Sequence, residues 1–312
     1  MNIFITRALP GDVLAPLAEV GAVTVSPHDR PLTPAELRAG VAGADAVITT
    51  LNDRVDQEVL VAAGPRLRVV ANTATGYDNL DVAAITAHGA VATNTPGVLV
   101  DATADLTMAL LLDVTRRVSE GDRLIRSGEP WSWDIGFLLG AGLQERRLGI
   151  VGMGAIGQAV AVRAAAFGMD VVHHSRRGTG VGLAELLSTS DVVSLHCPLT
   201  KETRHLIDEA ALRLMKPGAY LVNTARGPVV DEAALAQALR TSEIAGAALD
   251  VYEDEPRVHP DLLELDNVVL TPHLGSATTE TRTRMAAVAV QNVVAVLTAG
   301  EPTTPISFPE NS

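Results

Sequence analysis

The sequence predicts two doubly wound α/β domains built on parallel sheets, and three observations predict it. Short β-rich runs alternate with helical ones over the first ~96 residues. A second alternation opens at Gly149-Ile150-Val151-Gly152-Met153-Gly154-Ala155-Ile156-Gly157. A long helical segment from about Asp101 to Ser127 separates the two.

In the first alternation, Ile3 to Thr6, Val23 to Ser26, Ala46 to Thr50, Arg68 to Asn72 and Ala90 to Thr93 read as strands. Four amphipathic helices fill the intervals, and Gly21, Gly43, Gly64 and Gly89 fall near helix ends, where a left-handed residue is wanted. In the second, strands are expected near Leu148 to Gly152, Asp170 to His174, Asp191 to His196, Ala219 to Asn223, Ala245 to Asp250 and Val268 to Leu270. The final helix, about Glu280 to Ala299, is longer than a crossover needs. It is expected to run back to the first domain and make that domain discontinuous.

The 312 residues, 47% of them hydrophobic, suffice for two ordinary cores. A net charge of −13 argues against a nucleic-acid partner and against a basic membrane-binding face. With Cys197 as the only cysteine, no intrachain disulfide can form, and a cytoplasmic location is expected. The opening run Met1-Asn2-Ile3-Phe4 reads as strand rather than as a secretory leader. Asp105 and Asp113 interrupt the most apolar helix, which reads as a core element and not a membrane span.

Chance alone would place roughly 0.2 Gly-x-Gly-x-x-Gly patterns in a chain with 26 glycines, so context must decide. Here the pattern lies between an apolar strand and an alanine-rich helix. Gly152 then serves the tight turn, Gly154 a close approach to a pyrophosphate, and Gly157 helix–strand packing. A carboxylate ending the second strand would accept from a ribose 2′-OH and repel a 2′-phosphate. This chain has Ser175-Arg176-Arg177 instead, which favours NADP, with NAD as the alternative. Two solvated arginines on a loop are the bland reading.

Asn223-Thr224-Ala225-Arg226-Gly227, Asp250-Val251-Tyr252-Glu253-Asp254-Glu255-Pro256 and Thr271-Pro272-His273-Leu274-Gly275-Ser276 each follow a predicted strand. If the sheet is parallel, all three turns share one rim. There Arg226 can hold a substrate carboxylate, His273 can exchange a hydroxyl proton, and Glu255 can orient His273 and favour its protonated form. Singly, each is more often a surface cation, an acidic loop or a turn histidine; their joint placement carries the reading. His173 and His174 are neighbours on a strand and face opposite ways, so no metal site is expected from them.

These motifs resemble the D-isomer-specific 2-hydroxyacid dehydrogenases over essentially the full chain, and within them the glyoxylate and hydroxypyruvate reductases. Thr75-Gly76-Tyr77-Asp78-Asn79-Leu80-Asp81, Thr93-Asn94-Thr95-Pro96-Gly97, Thr103-Ala104-Asp105, His196-Cys197-Pro198-Leu199-Thr200 and the turns above carry the resemblance. It implies a Rossmann nucleotide-binding domain, 100–280, inserted into a flavodoxin-like substrate domain, 1–99 and 281–312. Arg226, Glu255 and His273 match the catalytic trio. The backbone at Thr75 and Gly76 matches the loop receiving the substrate carboxylate, with Leu51 and Ser276 as further substrate-binding positions.

Thr103, Ala155, Ile156, Cys197, Pro198, Thr224, Ala225 and Asp250 match nucleotide contacts, with Asp250 as partner of the nicotinamide amide. Cys197 reads as a packed wall there. The resemblance also implies a homodimer through the nucleotide domain. Phe137 stands where close relatives often place a tryptophan reaching the partner's pocket. Many relatives have a further strand where only Gly178 to Gly182 intervene here, so the adenosine edge is trimmed. The expected reaction is reduction of small 2-oxo acids, with domain closure excluding water. Rival readings are a dehydrogenase of another small anion, such as phosphite, or of a 2-keto sugar acid, and a nucleotide-sensing protein like the corepressors that resemble this family. With no further domain expected after Ser312, the longer, serine-regulated relatives are disfavoured.

Overall fold

The computed structural model describes residues 1–176 and 178–306. The chain divides into two compact units, one of Met1–Leu99 together with the segment from Thr278 onward, the other of Val100–Ala277.

In the first unit, β1 (Asn2–Ile5), β2 (Ala22–Val25), β3 (Ala46–Thr49), β4 (Val69–Asn72) and β5 (Val91–Thr93) form a parallel sheet in the order β2-β1-β3-β4-β5. That is a flavodoxin-like order. Strand alternation assigns neighbouring residues to opposite faces. Phe4, Val47 and Val70 pack with Leu37, Leu60 and Ile85 on one side. Ile3, Ile5, Ile48 and Ala71 pack with Leu17, Val290 and Val293 on the other.

Helices α1 (Ala15–Val20), α2 (Pro34–Val41), α3 (Gln57–Ala63) and α4 (Val82–Ala87) connect the strands. Thr33 and Glu36 form a capping box on α2, and Asp56 and Asp81 cap α3 and α4. Gly43, Gly64 and Gly89 adopt positive φ as expected. Gly21 does not: its φ of −179° is extended. A Cβ there would lie 2.5 Å from the Met1 carbonyl oxygen, so close backbone approach is what requires glycine.

In the second unit, β6 (Arg147–Val151), β7 (Asp170–His174), β8 (Val192–Leu195), β9 (Tyr220–Asn223), β10 (Gly246–Leu249) and β11 (Val268–Leu270) form a parallel sheet ordered β11-β10-β9-β8-β6-β7. It is a Rossmann-type sheet that ends at β7, beyond which an isolated antiparallel bridge joins His174 to Gly180. Its helices are α5 (Val100–Arg116), α6 (Val118–Ser127), α7 (Ala155–Ala166), α8 (Leu183–Thr189), α9 (Glu209–Leu214), α10 (Glu232–Arg240) and α11 (Pro260–Leu263); α12 (Thr279–Ala299) returns to the first unit.

The single helix expected from Asp101 to Ser127 is two. Arg117 turns left-handed at φ 56°, and the Asp113 carboxylate accepts the Ser119 N–H at 2.7 Å, capping the new helix start. Arginine is a good helix former, so residue type does not mark the junction. Among the described residues, no helix is long and apolar enough to cross a membrane.

Candidate active site

The three motif glycines differ in what a side chain would meet. At Gly152, φ is +99° and a Cβ would lie 2.7 Å from the His196 carbonyl and the Cys197 nitrogen, so the turn runs hard against the β8 exit. At Gly157 a Cβ would collide with the Gly152 carbonyl. At Gly154, the N-cap of α7, a Cβ would meet nothing within 4 Å.

The helix therefore opens on unfilled space, with the Ala155, Ile156 and Gly157 N–H groups lacking intrahelical acceptors. A backbone of this shape fits a pyrophosphate. Around it, Cys197 is buried, its thiol pushed up to about 11 by burial, which makes it wall rather than nucleophile. Pro198 and Arg176 are exposed and Ser175 half-buried. Thr224 is tied to Thr107 at 2.9 Å, and the Ala225 N–H donates to the Asn223 side chain at 3.0 Å. Arg177 lies outside the described residues.

Strands β9, β10 and β11 are adjacent and parallel, so Arg226, Glu255 and His273 leave one rim from neighbouring strands. Asn223 Nδ2 donates to the Arg226 carbonyl at 2.9 Å, and Arg226 Nη1 donates to the Ala225 carbonyl at 2.8 Å. Glu255 Oε2 lies 2.8 Å from His273 Nδ1, while its Oε1 accepts the Tyr252 N–H at 3.1 Å. Burial opposes the Glu255 charge. The hydrogen bond and charge of His273, the Tyr252 N–H and nearby Arg226 prevail and hold its pKa below 4.5.

His273 sits at φ 54°, a conformation costly for a residue with a Cβ. Asp250 braces it. The His273 N–H donates to the Asp250 carbonyl at 2.9 Å, and the Asp250 carboxylate accepts from Thr271 Oγ1 at 2.6 Å, Leu274 N at 2.7 Å and Gly275 N at 2.8 Å. Asp250, expected to meet a nicotinamide amide, thus also builds the histidine turn. Thr103 Oγ1 donates to the Gly275 carbonyl at 3.0 Å, and half-buried Ser276 follows in the same turn.

The first unit holds the other expected positions. Leu51 is exposed. Asn94 Nδ2 donates to the Thr75 carbonyl at 2.7 Å, and Asn72 Nδ2 to the Gly76 carbonyl at 3.1 Å. In a trans peptide the N–H points away from the carbonyl, so the Gly76 and Tyr77 N–H groups are turned outward. No described residue accepts from either. Two adjacent, fixed donors suit a carboxylate. Asn79 extends the tether, with Nδ2 donating to the Thr50 and Asp53 carbonyls. Asn79 and Asn94 lie within the motifs that carry the resemblance and Asn72 ends a predicted strand, but the sequence marks none of them as a tether, because each acts through a carbonyl fixed only on folding.

A helix start fit for an anion, in the same parallel-sheet unit as a carboxylate–imidazole pair and an arginine at the strand exits, is the arrangement of a nucleotide-dependent oxidoreductase. Residues 108–275 match the model of the D-isomer specific 2-hydroxyacid dehydrogenase NAD binding domain. The chain is 47% identical to the glyoxylate reductase of Pyrococcus furiosus, over 94% of this chain and 91% of that one. The TT0316 protein of Thermus thermophilus superposes with a TM-score of 0.93 at 49% identity, over 98% of this chain and all of that one. An NADPH-dependent glyoxylate/hydroxypyruvate reductase from Sinorhizobium meliloti, solved with NADP and malonate, superposes with a TM-score of 0.82 at 32% identity, over 98% and 96%. The chain belongs to the D-isomer specific 2-hydroxyacid dehydrogenases.

Proposed function

We propose that the protein reduces glyoxylate and hydroxypyruvate to the corresponding D-2-hydroxy acids, preferring NADPH over NADH. The carrying observation is the 2.8 Å Glu255–His273 pair on the strand exits beside Arg226. The relatives named glyoxylate reductase support the substrate class.

The Gly152–Gly157 turn, Thr103, Ser175, Arg176, Arg177, Cys197, Pro198, Thr224, Ala225 and Asp250 would hold the cofactor, which supplies the hydride. In the nucleotide unit Arg226 takes the substrate carboxylate, with Ser276 as a further substrate position; in the other unit Leu51 and the Thr75–Gly76 backbone, with its Gly76 and Tyr77 N–H groups, are the proposed substrate-binding positions. With Nδ1 engaged by Glu255, His273 presents Nε2 to the keto oxygen and delivers the proton that completes the hydroxyl. Arg226 neutralises charge and polarises the carbonyl. The absence of a carboxylate at the end of β7 supports the NADPH preference.

Initial rates over a panel of 2-oxo acids with both reduced cofactors test this. Turnover of glyoxylate or hydroxypyruvate with an NADPH advantage is expected; no turnover of either acid overturns the activity, and a clear NADH advantage overturns the cofactor reading. A homodimer and a cytoplasmic location complete the reading. For the dimer, Trp131, Trp133, Ile135, Phe137 and Leu139 form an exposed apolar stretch, with Trp131 and Phe137 stacked at 6.1 Å. A monomer by light scattering at micromolar concentration would count against it.

A further inference from the structure

Glu232, the first residue of α10, is buried, although nothing in the chemistry proposed above uses it. Its carboxylate accepts the Glu253 N–H at 2.6 Å through Oε1 and the His259 N–H at 3.3 Å through Oε2. Glu253 returns the contact, its Oε1 accepting the Glu232 N–H at 3.0 Å. The second oxygen of Glu253 meets His205 Nε2 at 2.9 Å.

His205 is itself tied to the turn after Arg226, its N–H donating to the Pro228 carbonyl at 2.8 Å. Gly227 closes the arrangement, because a Cβ there would collide with the Tyr252–Glu253 peptide. Residues 253 and 259 bracket Glu255, and both are held by one carboxylate anchored five residues beyond Gly227. A buried carboxylate is a costly fastener, and a neutral acceptor could serve a merely structural loop.

We propose that Glu232 and Glu253 are positioning residues that keep the Glu255 loop in register with the Arg226 turn. The proposal rests on the catalytic roles given above to Arg226, Glu255 and His273. In Glu232→Gln, an amide NH2 faces one of the two backbone donors and the loop is released at that end. Glu255 then drifts from His273, and loss of that hydrogen bond raises its pKa, with Arg226 and His273 as its charged neighbours.

The test compares Glu232→Gln and Glu253→Gln with wild type in kcat, in NADPH Kd by cofactor fluorescence, in the acid limb of kcat/KM and in melting temperature. A kcat loss of about 10- to 100-fold is expected, with Kd within about twofold and the acid limb moved to higher pH. Glu232→Asp, which keeps the charge, should recover part of the loss. Folded variants with wild-type kcat and acid limb, altered only in melting temperature, overturn the proposal. Should Glu232→Gln not fold, Glu253→Gln, at a less buried site, decides alone. A wild-type protein inactive on every 2-oxo acid overturns the catalytic reading instead, which separates the two failures.

Discussion

Glu255 and His273 come from different strand exits and meet at 2.8 Å, with each also held by its own backbone turn. The carboxylate is thereby committed to the imidazole before any substrate arrives. Removing either partner, or Arg226, should therefore affect turnover more than cofactor binding. In Arg226→Ala, His273→Ala and Glu255→Gln, kcat/KM should fall by about 10²–10⁴-fold while NADPH Kd stays within about threefold. Near-normal turnover in His273→Ala would remove it from the mechanism.

The lowered pKa of Glu255 sets a direction with pH. A carboxylate whose pKa falls on folding contributes stability that is present above its unfolded value, near 4.5, and lost as pH falls through the lower folded value. Wild-type activity should hold down to about that pH and decline below it, on an acid limb absent from Glu255→Gln. A profile unchanged by that substitution would show that another group controls the limb.

His196 carries a second pH effect. Burial pushes its pKa down to about 4, and its Nδ1 has no partner among the described residues, while Nε2 meets Ser194 Oγ at 2.8 Å. The neutral ring is favoured in the folded state, so stability is full above its unfolded value of 6.5 and lost as pH falls toward 4. Urea midpoints measured between those limits should decline in wild type and decline less in His196→Gln.

Gly152 and Gly154 should fail differently. Gly152→Ala forces a Cβ against the 196–197 backbone at φ +99°, so loss of folded yield is expected. Gly154→Ala has space and an ordinary φ of −79°, so the fold should survive, while the methyl group fills the place of the pyrophosphate. NADPH Kd in Gly154→Ala should rise by about 10- to 100-fold with an unchanged melting curve. Unaltered affinity would exclude this turn as the phosphate site.

Asn94 and Asn72 hold carbonyls whose opposite faces present the Gly76 and Tyr77 N–H groups. Asn94→Ala should raise KM for glyoxylate by about tenfold, leaving NADPH Kd unchanged. A change in cofactor affinity with constant substrate KM would contradict that role.

Strand and helix positions were legible in the chain because they follow from local alternation and capping, as in Ile3/Ile5 against Phe4 or Thr33 with Glu36. The tight turn at Gly152 and the close packing at Gly157 were legible too, since each needs only a strand, a turn and a helix in succession. The Arg117 break was not, because arginine is a good helix former and the left-handed turn there, with Asp113 capping the next helix start, is a backbone event that residue type does not mark. That Arg226, Glu255 and His273 leave one rim was legible from their places after predicted strands, because a parallel sheet sends every strand exit to one rim. The Asn94 tether to Thr75, the Asp250 brace under His273 and the Glu232–Glu253 clamp arose only with the tertiary fold. Each joins a side chain to a backbone group 19 to 25 residues away in sequence, and a hydrogen bond of that span exists only once folding has fixed both ends.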